Sequence, residues 1–198
     1  MDNCIYATYD AEGKHCTRQD MAVGSSFSCR LDFSDYENVG CIAYKTIRPK
    51  VIDRFDGDYA FLSNFFECPV FYNDLWHTNS EAAFQGAKSK DRKMRGVFSE
   101  LSPSRAKYLG RHIQLREDWE QVKDTIMEQI VYNKFRYNTS LEERLLDTGT
   151  AELIEGNTWG DTYWGICNGV GQNKLGKILM KVRERLREET ATGEDEYE

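Results

Sequence analysis

Glu81 is the first residue whose type and surroundings could support catalysis. It falls in the predicted first turn of a helix, beside Ala82, Ala83 and Phe84. A carboxyl group in apolar surroundings has an altered pKa and can act as an acid, a base or a stabiliser of positive charge. The structural alternative is that Glu81 only complements the helix dipole. Gln85 lies one turn further along the same helix face.

A glycine-rich segment, residues 155–165, combines acidic and aromatic side chains. It contains Glu155, Trp159, Asp161 and Trp164. The segment could be a compact loop packed by its own rings. It could also bind a ligand, with rings stacked on a base and carboxylates placed against a sugar. We favour binding, because loops carry function disproportionately.

Two further segments extend this pattern. Ser63 and Asn64 interrupt an aromatic run, either as a turn in which Asn64 bonds its own backbone or as an amide presented to a ligand. Gly169, Gly171 and Asn173 lead into a predicted helix N-terminus, which suits a phosphate. Together the segments predict a nucleotide-like ligand, and the residue types alone go no further.

The elements that would position these residues are mostly helical. Predicted strands cover residues 51–55, 68–72 and 151–155, and Asn73-Asp74 forms a hairpin turn. Predicted helices cover residues 81–95 after a Ser80 cap, 103–110, 117–136, a segment from the Ser140/Glu143 capping box to Gly149, and 174–187 after an Asn173 cap. Without strand–helix alternation, this order predicts an α+β fold, a mainly helical single domain with a few short strands.

The chain divides into three predicted parts. Residues 1–50 form an N-terminal extension of unknown role, residues 51–187 form the organised domain, and residues 188–198 form an acidic, disordered tail. No stretch approaches the roughly 20 apolar residues of a membrane span, and the first 30 residues lack the apolar core of a secretory signal. These features predict a cytoplasmic protein without a membrane partner, and they indicate no oligomeric state.

The charge is unevenly distributed. The 198 residues carry a net charge of -7, of which -6 lies in residues 188–198, whereas residues 88–116 carry +7. An acidic chain with one basic tract suggests a local phosphate-binding face. A solvated helix surface explains the tract equally well.

The cysteines indicate neither disulfides nor a metal site. Four of the six are Cys4, Cys16, Cys29 and Cys41, at spacings of 12, 13 and 12 residues. Zinc sites bring paired ligands much closer in sequence, and a chain without a signal peptide keeps its thiols reduced. We therefore expect small buried hydrophobic side chains and no bound metal.

An ordered series of short motifs resembles the NADAR family over residues 54–187. The motifs are Phe61-x-Ser63-Asn64-Phe65, Trp76-x-Thr78-x-Ser80-Glu81-x-x-Phe84-Gln85-x-x-Lys88, Ser102-Pro103, Ala106-x-x-Leu109-Gly110-Arg111, Asp118-Trp119-x-x-Val122-Lys123, Lys134-Phe135, Leu145-Leu146-x-Thr148-Gly149, Leu153-Ile154-Glu155, Asp161-x-x-Trp164-Gly165 and Asn173-x-Leu175-Gly176-x-x-Leu179-Met180. The resemblance implies a NADAR-like fold and an N-glycosidase that needs no cofactor. Members cleave phosphoribosylamino-pyrimidine intermediates of riboflavin synthesis or remove ADP-ribose from guanine bases in nucleic acid.

The resemblance also implies roles for individual residues. Glu81 would be the catalytic carboxylate, and Asp161 the second one, which binds ribose hydroxyls or orients water. The implied substrate-binding residues are Ser63, Asn64, Phe65, Gln85, Trp119, Lys123, Glu155, Trp159, Trp164, Gly165 and Asn173. Among them the tryptophans would line or stack on the ligand, Lys123 would meet phosphate or the leaving base, and Glu155 would orient its neighbours.

Two departures from the family pattern stand beside Glu81. Ala82 and Ala83 replace aromatic or histidine residues, and Asn79 is an extra residue before Ser80. The basic tract favours ADP-ribosylated guanine in nucleic acid as the substrate. The overall acidity favours a small riboflavin intermediate, and a non-catalytic module that binds ADP-ribose or NAD is a third interpretation.

Overall fold

The computed structural model describes residues 7–10, 13–16 and 49–192 of the chain, with side chains from residue 49 onward. The chain divides into two compact units, Met1–Pro49 and Lys50–Glu198. In the first unit, β1 (Ala7–Asp10) pairs antiparallel with β2 (Gly13–Cys16). The rest of the predicted N-terminal extension and the side chains of its four cysteines lie outside the described residues.

The second unit contains three short strand pairs. They are β3 (Val51–Ile52) parallel to β6 (Glu152–Leu153), β4 (Glu67–Tyr72) antiparallel to β5 (Leu75–Asn79), and β7 (Gly156–Asn157) parallel to β8 (Ile166–Cys167). The predicted hairpin is confirmed, because Asn73 and Asp74 have φ values of 51° and 62°, as a two-residue type I′ turn requires. The strands predicted over residues 51–55 and 151–155 are shorter, because only two residues of each are paired.

Helices make up most of the unit. They are α1 (Ser80–Gly86), α2 (Arg92–Phe98), α3 (Pro103–Gly110), α4 (Trp119–Arg136), α5 (Thr139–Asp147) and α6 (Lys174–Thr192), together with a 3-10 helix at Gly57–Leu62. The start of α3 is as predicted, since proline suits a first helical position whose N–H has no partner in the helix. A mainly helical α+β fold is therefore confirmed.

The single helix predicted over residues 81–95 is wrong. Asn79, rather than Ser80, caps α1, and its side chain accepts a hydrogen bond from the Ala82 N–H at 2.8 Å. Asp91 then starts α2 by accepting from the Lys93 N–H at 3.0 Å. The segment predicted as one helix thus contains two capping side chains and forms two helices. Each cap accepts a hydrogen bond from an N–H group that would otherwise lack a partner at a helix start.

The start of α5 also differs from the prediction. The Ser140/Glu143 capping box is absent, because α5 already begins at Thr139. The preceding Asn138 donates to the carbonyl oxygens of Pro69 at 2.9 Å and Lys134 at 2.6 Å, so this side chain ties the turn to β4 and α4.

The last helix is longer than predicted. Helix α6 continues through Thr192, so residues 188–192, assigned by the sequence to the disordered tail, are helical. Residues 193–198 lie outside the described part of the chain. No helix in the described residues is long and apolar enough to cross a membrane.

The core lies mainly between α4, α6 and the β4–β5 hairpin. The apolar stripe of α6 is buried at all five positions, Leu175, Ile178, Leu179, Val182 and Leu186. The stripe of α4 is buried at Trp119, Ile126, Ile130 and Phe135, and its fifth member, Val122, is partly exposed against the core. Burial of each such side chain contributes about 2 kcal/mol, so these helices form the support on which the loops rest.

Candidate active site

A cavity of about 840 Å³ opens in the second unit, within the size range of small-molecule sites. Its walls come mainly from α1, α3, α4, the turn that follows the 3-10 helix and the loop between β7 and β8. Most of the predicted site residues line it, namely Ser63, Asn64, Phe65, Glu81, Gln85, Trp119, Lys123, Glu155, Trp159, Asp161 and Trp164. The fold therefore brings together residues that are far apart in sequence.

Glu81 is the buried carboxyl group of the cavity. Its residue is 6% exposed, and Gln85 donates to its Oε1 at 2.9 Å from the next turn of α1. Burial raises the pKa of Glu81, while the hydrogen bond from Gln85 and the charges of Lys107 and Lys88 act in the opposite direction. A carboxylate in this setting can accept a proton more readily than one in water.

The turn at Ser63 and Asn64 adjoins Glu81 directly. The Glu81 N–H donates to the Asn64 carbonyl oxygen at 3.0 Å. Ser63, rather than Asn64, closes the local turn, since its Oγ accepts from the Phe65 N–H at 3.1 Å. The Asn64 side chain instead donates to Met127 Sδ at 3.3 Å, and its Oδ1 is buried without a protein partner. Asn64 is thus available to bind a ligand.

Asp161 organises the loop as well as facing the cavity. Its Oδ1 accepts from the N–H groups of Tyr163 at 3.0 Å and Trp164 at 2.9 Å. Asn157 supports the loop from below by bonding the Asp161 N–H and carbonyl oxygen. One carboxylate oxygen is therefore committed to the loop, and the segment is both a compact loop and part of the cavity wall.

Glu155 is the third carboxyl group in the cavity wall. Its Oε2 is buried without a protein partner. Burial, followed by the negative charge of Asp161, raises the pKa of Glu155 to about 7. A buried acceptor without a partner is rare in proteins, so the free oxygens of Glu155 and Asn64 are candidate acceptors for donor groups of a ligand.

Aromatic rings form a second wall. Phe84 contacts Trp119 at 5.0 Å and Trp164 at 5.3 Å between ring centroids. Trp159, in contrast, is 64% exposed and stands at the rim. Trp119 and Trp164 are therefore fixed by packing, whereas Trp159 has a free face on which a flat group can stack.

Basic side chains face the carboxyl groups. Lys88 donates to the Gly110 carbonyl oxygen at 2.9 Å, and burial lowers the pKa of its ammonium group. Lys123 is paired with Glu120 and lies 4.1 Å from the Tyr163 ring centroid. Lys107 and Arg111 complete the set of four cations that line the cavity.

The sequence-based site omitted several residues of the cavity wall. They are Phe84, Lys88, Ser104, Lys107, Tyr108, Arg111, Met127, Tyr163 and Leu175. The basic tract at residues 88–116 was the signal for three of them, because it contains Lys88, Lys107 and Arg111. Nothing in the local sequence pointed to Ser104 or Met127.

Gly165 and Asn173 do not line the cavity but lie behind it. Asn173 Oδ1 accepts from the Glu155 N–H at 3.1 Å, and its Nδ2 donates to the Leu153 carbonyl oxygen at 2.9 Å. Its side chain is thus committed to β6 rather than to capping α6. A Cβ atom on Gly165 would lie 2.2 Å from the Glu155 carbonyl oxygen. Both residues therefore position Glu155.

Among the described residues, no group of three or more His, Cys, Asp or Glu side chains could hold a metal ion. The cavity instead combines carboxyl groups, buried acceptors, aromatic rings and cations. This combination is typical of an enzyme site in which carboxyl groups can supply acid–base chemistry. A sequence model of the NADAR domain matches residues 52–187, and the chain belongs to the NADAR family.

Similar proteins identify the type of hydrolase. "N-glycosidase YbiA" of Shigella boydii serotype 4 (strain Sb227) is 38% identical over 133 residues, which cover 65% of this chain and 82% of that protein. "Riboflavin biosynthesis protein VVA0006" of Vibrio vulnificus (strain YJ016) is 37% identical over 137 residues, or 67% of this chain and 37% of that protein. The chain is a hydrolase of the N-glycosidase type.

A solved structure shows the same fold. The NMR structure of the E. coli protein YbiA superposes with a TM-score of 0.67 at 32% identity, covering 78% of this chain and 97% of the YbiA chain. The membership and fold expected from the motifs are therefore confirmed.

Proposed function

We propose that this protein removes ADP-ribose from ADP-ribosylated guanine in nucleic acid by hydrolysing the ribose C1′–N bond. The observation that carries the proposal is the set of four cations, Lys88, Lys107, Arg111 and Lys123, which line the same cavity as the carboxyl groups. Several cations suit a substrate with a pyrophosphate better than one with a single phosphate. We also propose that the protein acts in the cytoplasm, where free thiols such as those of the buried Cys68 and Cys167 stay reduced.

The rim of the cavity supports a polymeric substrate. Tyr108 is 58% exposed at the rim, and the guanidinium of Arg105 lies 5.8 Å from its ring centroid. Lys107 stands 5.3 Å from the ring centroid of the exposed Phe65. Alternating cations and exposed rings are typical of surfaces that contact phosphates and stack on bases.

The carboxyl group of Glu81 would act at the reacting carbon. Cleavage of the C1′–N bond develops positive charge on the ribose, and a fixed carboxylate stabilises that charge more in the transition state than in the ground state. Glu81 would also take a proton from the attacking water, which adds to C1′ while a proton reaches the leaving nitrogen. Its raised pKa favours this proton transfer, while the charges of Lys107 and Lys88 favour its ionised form.

The remaining residues would bind the sugar and base. Asp161 uses one oxygen for its own loop and would offer the other to ribose hydroxyls or water. Asn64 and Glu155 would accept hydrogen bonds through their partnerless oxygens. The ring of Trp164 would form the wall against which the ligand lies, and Trp159 would stack on it from the rim.

A smaller substrate is the second candidate. The relative from Vibrio vulnificus is named a riboflavin biosynthesis protein, which favours a phosphoribosylamino-pyrimidine. That substrate would use the same carboxyl groups and a single phosphate subsite. The third interpretation, a binding module without turnover, has less support because several relatives are named N-glycosidases.

A product assay tests this proposal. The wild-type protein and Glu81→Gln would be incubated with an oligonucleotide carrying ADP-ribosylated guanine, and separately with a phosphoribosylamino-pyrimidine. We expect release of ADP-ribose from the oligonucleotide, reduced at least a hundredfold in the variant, which is the low end of acid–base contributions. Glu143→Gln, on the exposed side of α5, is the matched control and should retain full activity.

The two substrates give distinct outcomes. If the protein cleaves only the phosphoribosylamino-pyrimidine, that smaller compound is its substrate instead of ADP-ribosylated guanine. The proposed role of the carboxyl groups would still apply. Full activity of a folded Glu81→Gln would contradict the central role of Glu81.

A further inference from the structure

Lys134 is a buried cation that the chemistry described so far does not use. It lies on α4, and its residue is only 1% exposed. Its ammonium group donates to the Ser63 carbonyl oxygen at 2.8 Å, and the rings of Phe66 and Phe135 lie 5.6 Å and 5.3 Å from it. A buried charge without a carboxylate in contact is costly, so its presence needs an explanation.

The carbonyl group that Lys134 holds belongs to the turn next to Glu81. Ser63 and Asn64 both line the cavity. The Asn64 carbonyl oxygen accepts from the Glu81 N–H at 3.0 Å, and the Asn64 side chain reaches Met127 on α4. The turn is therefore attached to α4 on one side and to the start of α1 on the other.

The charge of Lys134 also acts on Glu155, one of the carboxyl groups of the cavity. Burial lowers the pKa of Lys134 to about 8, while Cys68 on β4 and Glu155 favour its charged form. The ammonium group is thus mostly protonated at neutral pH. Charged groups on four elements face Glu155: Asp161, Lys107 on α3, Lys134 on α4 and Glu81 on α1. Lys134 is the fully buried cation among them.

We propose that Lys134 is a positioning residue of the active site, which fixes the Ser63–Asn64 turn against the start of α1 and places a buried positive charge near Glu155. This role applies to either candidate substrate, because it concerns the carboxyl groups rather than the ligand. An apolar side chain of similar length could fill the same space at no electrostatic cost. Selection for stability alone therefore does not account for the lysine.

Two substitutions separate the hydrogen bond from the charge. Lys134→Met removes both, whereas Lys134→Gln retains an N–H donor for the Ser63 carbonyl oxygen. Lys181→Met is the matched control, because Lys181 is exposed on α6 and pairs with Glu128 at 2.7 Å, away from the cavity. Each variant would be assayed on whichever N-glycoside the wild-type protein hydrolyses.

For Lys134→Met we expect a melting temperature equal to or above that of the wild type, and a kcat/KM at least tenfold lower. The acid limb of the pH–rate profile should move to higher pH by about one pH unit, because a nearby cation favours the ionised carboxylate. Lys134→Gln should show the same displacement with a smaller loss of kcat/KM. Lys181→Met should change neither quantity.

A measurement without substrate distinguishes this proposal from the proposed function. Carboxyl ¹³C NMR would follow the titration of Glu155, whose midpoint should rise in both Lys134 variants. A second measurement needs only the wild-type protein, so it applies even where a variant does not fold. As Lys134 loses its proton, the amide signals of Asn64 and Glu81 should shift together with the ε-carbon signal of Lys134. A Lys134 titration that leaves those amide signals unchanged would overturn the proposal, as would folded variants with wild-type kcat/KM and Glu155 titration.

Discussion

At the scale of single residues, burial gives the charged groups of this site their reactivity and also makes them costly. A pKa of about 8 for Lys134, instead of its ordinary 10.5, corresponds to a cost of about 3 kcal/mol when the ammonium group is charged. Because the folded state binds fewer protons than the unfolded chain between these values, this cost disappears as the pH rises from about 8 to above 10.5. Glu155 shows the opposite dependence.

The pH dependence of stability should reveal the cost of Glu155. Its pKa rises from 4.5 to about 7 on folding, so the folded state binds more protons in this range and stability falls as the pH rises through it. Glu155→Gln removes the ionised group. We expect its free energy of unfolding in urea to exceed that of the wild type by about 1–3 kcal/mol at pH 8, and to equal it at pH 4.5.

The control for this experiment is again Glu143→Gln, whose carboxyl group is exposed. The free energy of unfolding of Glu143→Gln should equal that of the wild type at both pH values. An equal effect of Glu155→Gln at pH 4.5 and pH 8 would argue against a raised pKa. Higher stability combined with lower activity would indicate that the protein retains Glu155 for function.

At the scale of elements, the close contact between α1 and α3 holds the Glu81–Gln85 pair in place. The last residue of α3 is Gly110, and a Cβ atom there would lie 1.9 Å from Gln85 Oε1 and 2.9 Å from Gln85 Cβ. Only glycine lets the two helices approach this closely, so α3 fixes the side chain that bonds Glu81. The close approach of the Gly110 backbone to Gln85 thus helps to position the carboxyl group of Glu81.

Gly110→Ala should therefore impair catalysis indirectly, by moving the Gln85 side chain that bonds Glu81. The methyl group would displace Gln85 and break its 2.9 Å hydrogen bond to Glu81. We expect kcat/KM to fall about tenfold or more, and urea unfolding to show a loss of about 1–3 kcal/mol from overpacking.

Gly96→Ala is the matched control within α2, where a Cβ atom would meet nothing within 4 Å. It should retain activity and gain about 0.5–1 kcal/mol, because alanine favours the helix. Unchanged activity in a folded Gly110→Ala would show that the Gln85–Glu81 bond is dispensable.

At the scale of the whole molecule, charge is segregated. The chain carries -7 overall, yet residues 88–116 carry +7, and three of these bases line the cavity. A net acidic protein repels nucleic acid except where a local basic surface outweighs the repulsion. Any nucleic-acid substrate must therefore approach by this tract.

Salt dependence tests that approach. If the tract contacts phosphates, log(kcat/KM) on an ADP-ribosylated oligonucleotide should fall linearly with log salt, by about 0.7 for each contacted phosphate of a single strand. A modified mononucleoside should show a much smaller slope. Arg105→Gln should reduce the slope on the oligonucleotide by about one contact, whereas Lys181→Gln should leave it unchanged. Equal slopes on both substrates would remove the role of the tract in nucleic-acid binding.

The sequence by itself determined the features that depend on neighbouring residues. Asn73-Asp74 favours positive φ at both positions and so sets the hairpin turn. The apolar spacing of α4 and α6 determines which helix faces are buried. The order of the motifs was enough to indicate the family, and with it Glu81 and Asp161 as residues facing one cavity.

Only the tertiary structure decided the features that depend on residues distant in sequence. Lys134 and Ser63 are 71 residues apart, and no local pattern indicates their hydrogen bond. Asn173 and Gly165 were expected to contact substrate but pack behind Glu155. Backbone preferences act between near neighbours, whereas burial, pKa and hydrogen-bond partners depend on which groups the fold brings together.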